Sequence, residues 1–276
     1  MDIATTLKQA KQRLAAGDSP ALDAEVLLAH VLGKRRIHLL TWPEQPLTQE
    51  QERDYFQLIE QRYLGTPVAH LTGQAEFWSL PLNVNPHTLI PRPETELLVE
   101  TTLSLLPADA RWEIVDLGTG SGAIALALAS ERSDCTIHAV ERSADALEIA
   151  RHNAAALKLE IQFHPGSWFE PLTGMQFDLI VSNPPYIPLQ DPHLDQGDVR
   201  FEPDSALSSG SDGLDDIRHI IHAARQHLRP GGWLLLEHGY DQGDAVAKLF
   251  LNEGYKEVDT IRDLAGHPRI GLGRID

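Results

Sequence analysis

The sequence predicts an α/β protein in which a doubly wound parallel sheet follows a small N-terminal α-helical bundle. Two observations support this fold class. From Trp112 onward, short apolar segments with strand character alternate with helical segments, an order that builds a parallel sheet covered on both faces. Up to residue 63, only helical spacing occurs. The length of 276 residues accommodates one large domain and one small domain.

Four amphipathic segments make up the predicted bundle. Their apolar residues recur at helical spacing over residues 2–16, 20–32, 35–41 and 48–63. Ser19 and Pro20 form a typical helix start, and Thr48 with Gln51 has the spacing of a capping box. These helices contain no catalytic group of side chains, so we expect a separate small domain over residues 1–73.

A linker and a hairpin are expected between the bundle and the sheet. Residues 65–73 are rich in turn-forming residues, and residues 76–84 alternate like a pair of strands. We therefore assign a hairpin linker to residues 74–88 and the catalytic domain to residues 89–276. Within that domain a tight turn is expected at 229–232. Strands are expected near 114–117, 136–140, 160–163, 177–182, 233–237, 255–261 and 269–273, and helices up to 106 and at 123–130, 144–157, 213–228 and 241–251.

Composition excludes several classes of protein. The net charge of −17 argues against a partner held through its phosphates, so no nucleic-acid partner is expected. No apolar run is long enough to span a bilayer, and no signal-peptide pattern is found. Cys135 is the single cysteine, which suits a cytoplasmic location. No cluster has metal-ligand spacing, so we predict no metal site. We also expect the protein to be a monomer.

The segment Asn183-Pro184-Pro185-Tyr186 follows a buried apolar strand and is the first candidate site. The two prolines stiffen the turn, and Asn183 is driven into an extended conformation because it precedes a proline. An asparagine oxygen, the carbonyl of Pro184 and the ring of Tyr186 could together hold a planar amide or amino group. The alternative is an ordinary strand end at which the prolines only stop the strand.

A glycine-rich turn follows the first strand of the predicted sheet. Gly118-Thr119-Gly120-Ser121-Gly122 allows close approach of the backbone to a ligand. Glu141 ends the next strand and could accept hydrogen bonds from two ribose hydroxyls. The spacing differs from that of dinucleotide sites, and Asp116 favours a cationic ligand over a pyrophosphate. S-adenosylmethionine is therefore favoured over NAD. The alternative is a turn that only packs a helix on a strand.

Two further side chains have two interpretations each. Trp168 follows the third strand, where it could flank an adenine or could pack in the core. Arg92 lies between two prolines before a helix, where it could serve a binding site or could pair with Glu94 or Glu96.

With these motifs in view, the chain resembles class I, Rossmann-like S-adenosylmethionine-dependent methyltransferases. Within that class it closely resembles the protein-glutamine methyltransferases that modify bacterial peptide chain release factors. Glu141 is a modest departure, because aspartate is also common there. The resemblance is carried by the bundle and by residues 69–73, 77–80, 90–96, 115–122, 182–187, 200–203 and 212–214.

The resemblance implies a function. The substrate is then the glutamine of the Gly-Gly-Gln loop of class I release factors, bound by residues 183–186, and a functional role for Arg92 is favoured. The bundle is expected either to recognise the release factor away from this loop or only to shield the catalytic domain. Two rivals are a nucleic-acid methyltransferase acting on a base amine, disfavoured by the acidic charge, and a binding module without activity.

Overall fold

The protein forms two compact units, each with its own hydrophobic core. The structure is a computed structural model, and it describes residues 1–107 and 109–276. The first unit comprises Met1–Gln74 together with Gln196–Phe201, and the second comprises Ala75–Asp195 together with Glu202–Asp276. A short piece of the loop that follows the central strands therefore belongs to the N-terminal unit.

The N-terminal unit is helical. Its helices are α1 (Ile3–Arg13), α2 (Pro20–Leu32), α3 (Arg36–Thr41), α4 (Gln49–Tyr63) and α5 (Val68–Thr72). The capping box at the start of α4 is confirmed: the Gln51 N–H donates to Thr48 Oγ1 at 3.2 Å, and the Thr48 N–H donates to Gln51 Oε1 at 2.9 Å. The prediction that residues 65–73 are only a linker is wrong, because Val68 and Leu71 pack on the bundle core and order α5.

An ion-pair cluster ties the loop segment Gln196–Phe201 to this unit. The Arg62 guanidinium lies 2.7 Å from Asp23 Oδ2 and 2.8 Å from Asp198 Oδ1. Arg200 also donates to the carbonyl of Leu64 at 2.9 Å. Contacts between residues 136 positions apart, as in the Arg62–Asp198 pair, have no local sequence signal.

A hairpin opens the second unit and confirms the expected strand pair. Strand β1 is Gln74–Phe77 and strand β2 is Leu80–Asn83, and the two pair in a sheet of their own. Trp78 and Ser79 connect them with φ values of 53° and 58°. Positive φ at both central residues defines a type I′ turn, whose twist suits a hairpin.

The second unit contains a seven-stranded sheet with helices on both faces, which confirms the predicted fold class. The sheet order is β5-β4-β3-β6-β7-β9-β8, with β9 antiparallel to both of its neighbours. Its remaining elements are α6 (Glu96–Leu105), β3 (Glu113–Leu117), α7 (Ala123–Glu131), β4 (Thr136–Glu141), α8 (Ala144–Leu157), β5 (Gln162–Pro165), β6 (Phe177–Ser182), α9 (Asp215–His227), β7 (Leu228–Glu237), α10 (Gly243–Asn252), β8 (Lys256–Arg262) and β9 (Pro268–Arg274).

Alternate residues of the central strands face opposite sides of the sheet. Leu179 and Val181 of β6 belong to the core that includes α6 and α7, whereas Ile180 between them belongs to the core that includes α9 and α10. Strands buried on both faces need continuous apolar runs, as the sequence of β6 shows.

One strand differs clearly from the prediction. The expected tight turn at 229–232 is wrong, because β7 already begins at Leu228 and includes these residues. Leu228 pairs with Phe177 and Trp233 pairs with Leu179, so β7 carries three extra residues in a bulge. Gly231 accommodates this bulge with a φ of 79°. Strand β5 also begins two residues later than expected, at Gln162.

Candidate active site

Three predicted site segments leave neighbouring strands at the same edge of the sheet. Leu117, the last residue of β3, pairs with Val140 of β4 on one side and with Ser182 of β6 on the other. Gly118 and Asn183 therefore emerge side by side, and Glu141 ends the strand beyond. The order of strands reverses at β3 and β6, and open α/β sheets bind ligands at such a switch point.

The glycine-rich turn is shaped for close approach. Gly118, Gly120 and Gly122 have φ values of 72°, 57° and 88°, in the left-handed region that side chains disfavour. A Cβ atom added at Gly118 would lie 3.3 Å from the Trp168 ring. A side chain at Gly118 would crowd this ring, so the glycine lets the Trp168 ring pack close to the turn.

Glu141 braces the turn with its carboxylate. Its Oε2 atom accepts the N–H of Gly120 at 2.9 Å, and its Oε1 atom accepts the N–H of Ser143 at 2.8 Å. Each carboxylate oxygen has a second lone pair, so the group can still accept hydrogen bonds from a ligand. Glu141 also lines the cleft beside the turn.

Asp116 lies beneath the turn and is buried. Thr119 Oγ1 donates to its Oδ2 atom at 2.6 Å, whereas its Oδ1 atom has no partner of normal hydrogen-bond geometry among the described residues. Burial raises the pKa of Asp116 to about 7, and the nearby Glu141 adds to this rise. A buried carboxyl with an unused oxygen suits a site that receives a cationic group.

A cleft of about 140 Å³ lies at this edge of the sheet. Its lining includes the predicted residues Gly118, Gly120, Glu141, Trp168, Asn183 and Pro185. Residues that the sequence did not indicate also line it, namely His87, Thr88, Leu89, Arg142, Ser143, Pro203, Ser205 and Ala206. Trp168 packs against the core, which confirms that interpretation, and it also lines the cleft, so its contact with an adenine stays a prediction.

Ser121 and Gly122 connect the turn to its surroundings. The Ser121 carbonyl accepts a hydrogen bond from Asn153 Nδ2 at 2.9 Å. A Cβ atom at Gly122 would lie 3.0 Å from the Leu126 side chain. The structure therefore gives these two residues contacts that position the start of α7.

The polar groups of residues 183–186 are held from behind the cleft. Asn183 Nδ2 donates to Thr95 Oγ1 at 3.1 Å, and the Tyr186 hydroxyl donates to Glu237 Oε1 at 3.1 Å. Gln242 Nε2 donates to the Tyr186 carbonyl at 2.9 Å. Pro184 is buried. These contacts fix the segment and place the donor end of the Asn183 amide on Thr95.

Arg92 pairs with neither of the glutamates named as its alternatives. Its guanidinium forms an ion pair with Glu202, whose other carboxylate oxygen accepts the N–H of Ile90 at 3.0 Å. Glu96 accepts the N–H of Trp78 at 2.8 Å. The proposed pairing with Glu94 or Glu96 is therefore wrong, because the loop after β6 brings Glu202 to Arg92.

Sequence reasoning missed Thr95 and Glu237. Thr95 lies inside the segment 90–96 that carries part of the resemblance, and Glu237 ends a strand at the ligand-binding edge of the sheet. The second position was a usable signal, because Glu237 is the last residue of the strand predicted at 233–237. In the structure Leu236 pairs with Ser182, so Glu237 ends its strand beside Asn183.

Among residues 1–107 and 109–276, no group of three or more histidine, cysteine, aspartate or glutamate side chains could hold a metal ion. In the same part of the chain, no helix is long and apolar enough to cross a bilayer.

The fold and the site define a class of protein. A T. thermophilus 16S rRNA methyltransferase solved with S-adenosylmethionine and guanosine has the same fold, with a TM-score of 0.54 and 21% identity over 74% of this chain and 50% of that one. The family model described as "Methyltransferase small domain" matches residues 93–196. The chain is a class I S-adenosylmethionine-dependent methyltransferase by its fold and its family.

The comparisons also identify the family within this class. The model described as "PrmC N-terminal domain" matches residues 5–73. The release factor glutamine methyltransferase of Salmonella typhimurium is 52% identical over 99% of both chains. That of Escherichia coli is 53% identical over 97% of both. The chain belongs to the release factor glutamine methyltransferase family.

Proposed function

We propose that the protein methylates the side-chain amide nitrogen of the glutamine in the Gly-Gly-Gln loop of class I peptide chain release factors. The observation that carries this proposal is the Asn183 amide, which lines the cleft beside the glycine turn while its nitrogen is held on Thr95. The family of the chain supports the same substrate.

The residues of the cleft fit S-adenosylmethionine. The open space beside Gly120 and the Asp116 Oδ1 atom without a hydrogen-bond partner of normal geometry are the features that support this fit. Glu141 would accept the ribose hydroxyls, Trp168 would flank the adenine, and Asp116 would favour the positive charge. The remaining cofactor contacts are assigned to Gly118, Thr119, Gly120, Ser121, Gly122 and Asn183. When bound, the cofactor supplies an electrophilic methyl group on a sulfonium.

The chain's own residues prepare the amide nitrogen of the substrate. An amide nitrogen is a poor nucleophile because its lone pair is delocalised into the carbonyl. Asn183 Oδ1 and the Pro184 carbonyl would accept its two hydrogens, raise its electron density and orient it. Positioning of this kind can contribute on the order of 7–11 kcal/mol. Pro185 and Tyr186 would pack on the amide plane, and the nitrogen would lose one proton to water after the transfer.

Arg92 is proposed to contact the substrate with the part of its side chain that stays exposed. About a third of this side chain, 31%, remains accessible beside the buried Glu202 carboxylate. The ion pair would hold the guanidinium in one orientation and leave donors for a backbone carbonyl of the bound loop.

The N-terminal unit is proposed to recognise the release factor away from its loop. A single glutamine loop offers little surface, and specific protein contacts usually bury at least about 1,000 Å². Helix α3 and its cap expose Ile37, Leu40 and Trp42, next to the basic residues Lys34 and Arg35. We infer a domain over residues 1–73 that recognises substrate, followed by a hairpin linker at 74–88 and a catalytic domain at 89–276. Action as a monomer in the cytoplasm is part of this proposal.

Methyl incorporation tests the proposed activity. Labelled S-adenosylmethionine is incubated with the protein and a release factor, and a release factor whose loop glutamine is replaced by alanine is the matched control. Label is expected only in the former, and an Asn183→Ala variant should transfer almost none. Equal labelling of the two release factors, or labelling of nucleic acid in their place, would contradict the proposal.

A further inference from the structure

Two buried side chains, from different elements, form hydrogen bonds with the Asn183-Pro184-Pro185-Tyr186 segment. Thr95 stands at the start of α6 and is 4% exposed, and Glu237 ends β7 and is 1% exposed. Thr95 accepts a hydrogen bond from Asn183 Nδ2, and Glu237 accepts one from the Tyr186 hydroxyl, both at 3.1 Å.

The Thr95 hydroxyl also lies close enough to the Glu237 carboxyl to influence its pKa, although Glu237 Oε2 has no hydrogen-bond partner of normal geometry among the described residues. Burial raises the pKa of Glu237 to about 7, and hydrogen bonding from Thr95 and from Tyr186 opposes this rise. The positive charge of Arg269 also lowers the pKa of Glu237, whereas the negative charge of Glu94 raises it. Thr95 and Glu237, which contact Asn183 and Tyr186 respectively, thus also influence each other.

The contacts of Thr95 differ from those expected at its position. A threonine before a helix usually accepts a hydrogen bond from an N–H of the first turn, as Thr48 does at the start of α4. Thr95 makes no such capping bond, and its Oγ1 atom is directed to Asn183 instead. Its hydroxyl therefore serves the site and not the end of the helix.

We propose that Thr95 and Glu237 are positioning residues that fix the orientation of the Asn183 amide. Above its pKa, the ionised Glu237 carboxylate only accepts hydrogen bonds and therefore attracts the single hydrogen of the nearby Thr95 hydroxyl. Thr95 Oγ1 then presents only lone pairs to Asn183. The amide group of Asn183 turns its NH₂ toward Thr95, and its oxygen is left to accept from the cleft.

This orientation decides whether Asn183 can bind a substrate amide. This consequence for the substrate rests on the proposed function. The reacting nitrogen of a glutamine carries two hydrogens and needs acceptors. In the opposite orientation, Asn183 would present its own NH₂ group, and two donors would face each other. A side-chain amide has nearly the same shape in both orientations, so only its hydrogen-bond partners select one of them.

The test compares three threonine variants of the full-length protein. Thr95→Val keeps the shape and removes the hydroxyl, whereas Thr95→Ser keeps the hydroxyl. Thr101→Val is the matched control, because Thr101 is a buried threonine of the same helix whose hydroxyl only donates to the Leu97 carbonyl at 2.7 Å. Methyl transfer to a release factor gives kcat and KM, and calorimetry gives the dissociation constant of S-adenosylmethionine.

We expect Thr95→Val to lower kcat about 10- to 100-fold, since misplacement by about 1 Å can cost about 100-fold. KM and the affinity for the cofactor should stay within about threefold of the wild type, because both binding surfaces are retained. Thr95→Ser should restore kcat to within about threefold, and Thr101→Val should leave it unchanged. A kcat of Thr95→Val equal to that of Thr101→Val would overturn the proposal.

A second measurement needs no substrate. The ¹⁵N side-chain amide signal of Asn183 is assigned by its loss in Asn183→Asp, and its hydrogen exchange with solvent is followed. Exchange should accelerate in Thr95→Val and in Glu237→Gln, whose amide can donate as well as accept, but not in Thr101→Val. Unchanged exchange in Thr95→Val would overturn the proposal. If exchange responds as expected but the wild type does not label a release factor, positioning stands and the proposed function fails.

Discussion

Glu141 is a residue whose contacts predict a specific defect. Its carboxylate accepts the N–H groups of Gly120 and Ser143 and would also accept the ribose hydroxyls of the cofactor. Hydrogen bonds to a charged group are worth about 1.5–3 kcal/mol each, so Glu141→Ala should raise the dissociation constant of S-adenosylmethionine at least about tenfold. Calorimetry measures this constant directly.

The control for this change is Glu148→Ala, on an exposed position of α8. Glu148→Ala also removes one negative charge from the catalytic unit, but it removes no contact with the glycine turn. Its affinity for the cofactor should therefore stay within about twofold of the wild type. Equal affinities of the Glu141 and Glu148 variants would show that the carboxylate at the end of β4 does not hold the cofactor.

The buried Asp116 carboxyl should make the stability of the protein depend on pH. Burial raises its pKa from the ordinary 3.8 to about 7. Between these two pH values the Asp116 carboxyl stays protonated in the folded protein but is ionised in the unfolded chain. Stability is therefore highest below the lower value and falls as pH rises toward 7. Between pH 5 and pH 8 this loss amounts to about 2–3 kcal/mol, at about 1.4 kcal/mol per pH unit.

Urea unfolding of the ligand-free protein at pH 5 and pH 8 measures this effect. Asp116→Asn removes the titrating group, so its free energy of unfolding should fall less between the two pH values than that of the wild type. Other ionisable groups titrate in both proteins and cancel in the difference. Parallel pH dependence of the two proteins would exclude Asp116 as the source.

At the scale of elements, the ion-pair cluster around Arg62 connects α4, α2 and the loop segment Gln196–Phe201. The side chains of Arg62 and Asp23 are only 16% and 10% exposed. Arg62→Ala would leave the Asp23 carboxylate largely buried without its cation. Because an unpaired buried charge is costly, the free energy of unfolding of the N-terminal unit should fall by about 3 kcal/mol, the lower end of the usual range, since Ser19 still donates to Asp23 at 2.6 Å.

The matched control is Arg53→Ala on the same helix. Arg53 pairs with Asp54 but is 69% exposed, and exposed ion pairs contribute about 0–1 kcal/mol. Urea unfolding compares the two variants, and limited proteolysis reports on residues 196–201. Cleavage there should accelerate in Arg62→Ala only, so equal cleavage of the two variants would refute the role of the cluster.

At the scale of the whole molecule, recognition by the N-terminal unit can be separated from catalysis. The doubly substituted variant Leu40→Ser with Trp42→Ala removes two side chains that are 68% and 58% exposed. If α3 contacts the release factor, kcat/KM for the intact protein should fall about tenfold or more, as expected when central aromatic contacts are lost. A free peptide of the Gly-Gly-Gln loop should be methylated as before.

Leu251→Ser is the control, because it removes an exposed apolar side chain of the catalytic unit. Its kcat/KM for the release factor and for the peptide should match the wild type. If the α3 variant loses the same factor with the peptide as with the release factor, the N-terminal unit does not recognise the substrate through this surface.

The sequence by itself determined the α/β fold class and the local shape of the motifs. Glycine turns, proline-stiffened strand ends and helix caps are set by neighbouring residues, so Gly118, Asn183 and Thr48 could be assigned from short segments. Parallel strands bring their carboxyl ends to one edge, which is why the turn after β3 and the segment after β6 lie side by side.

The tertiary structure alone decided the partners of these motifs. Arg92 pairs with Glu202, Asn183 with Thr95, and Tyr186 with Glu237, at separations of 110, 88 and 51 residues. Local periodicity records which face of an element is apolar but not which distant side chain meets a polar group. Buried polar groups must nevertheless find partners, and the folded chain supplies them by bringing separate elements together.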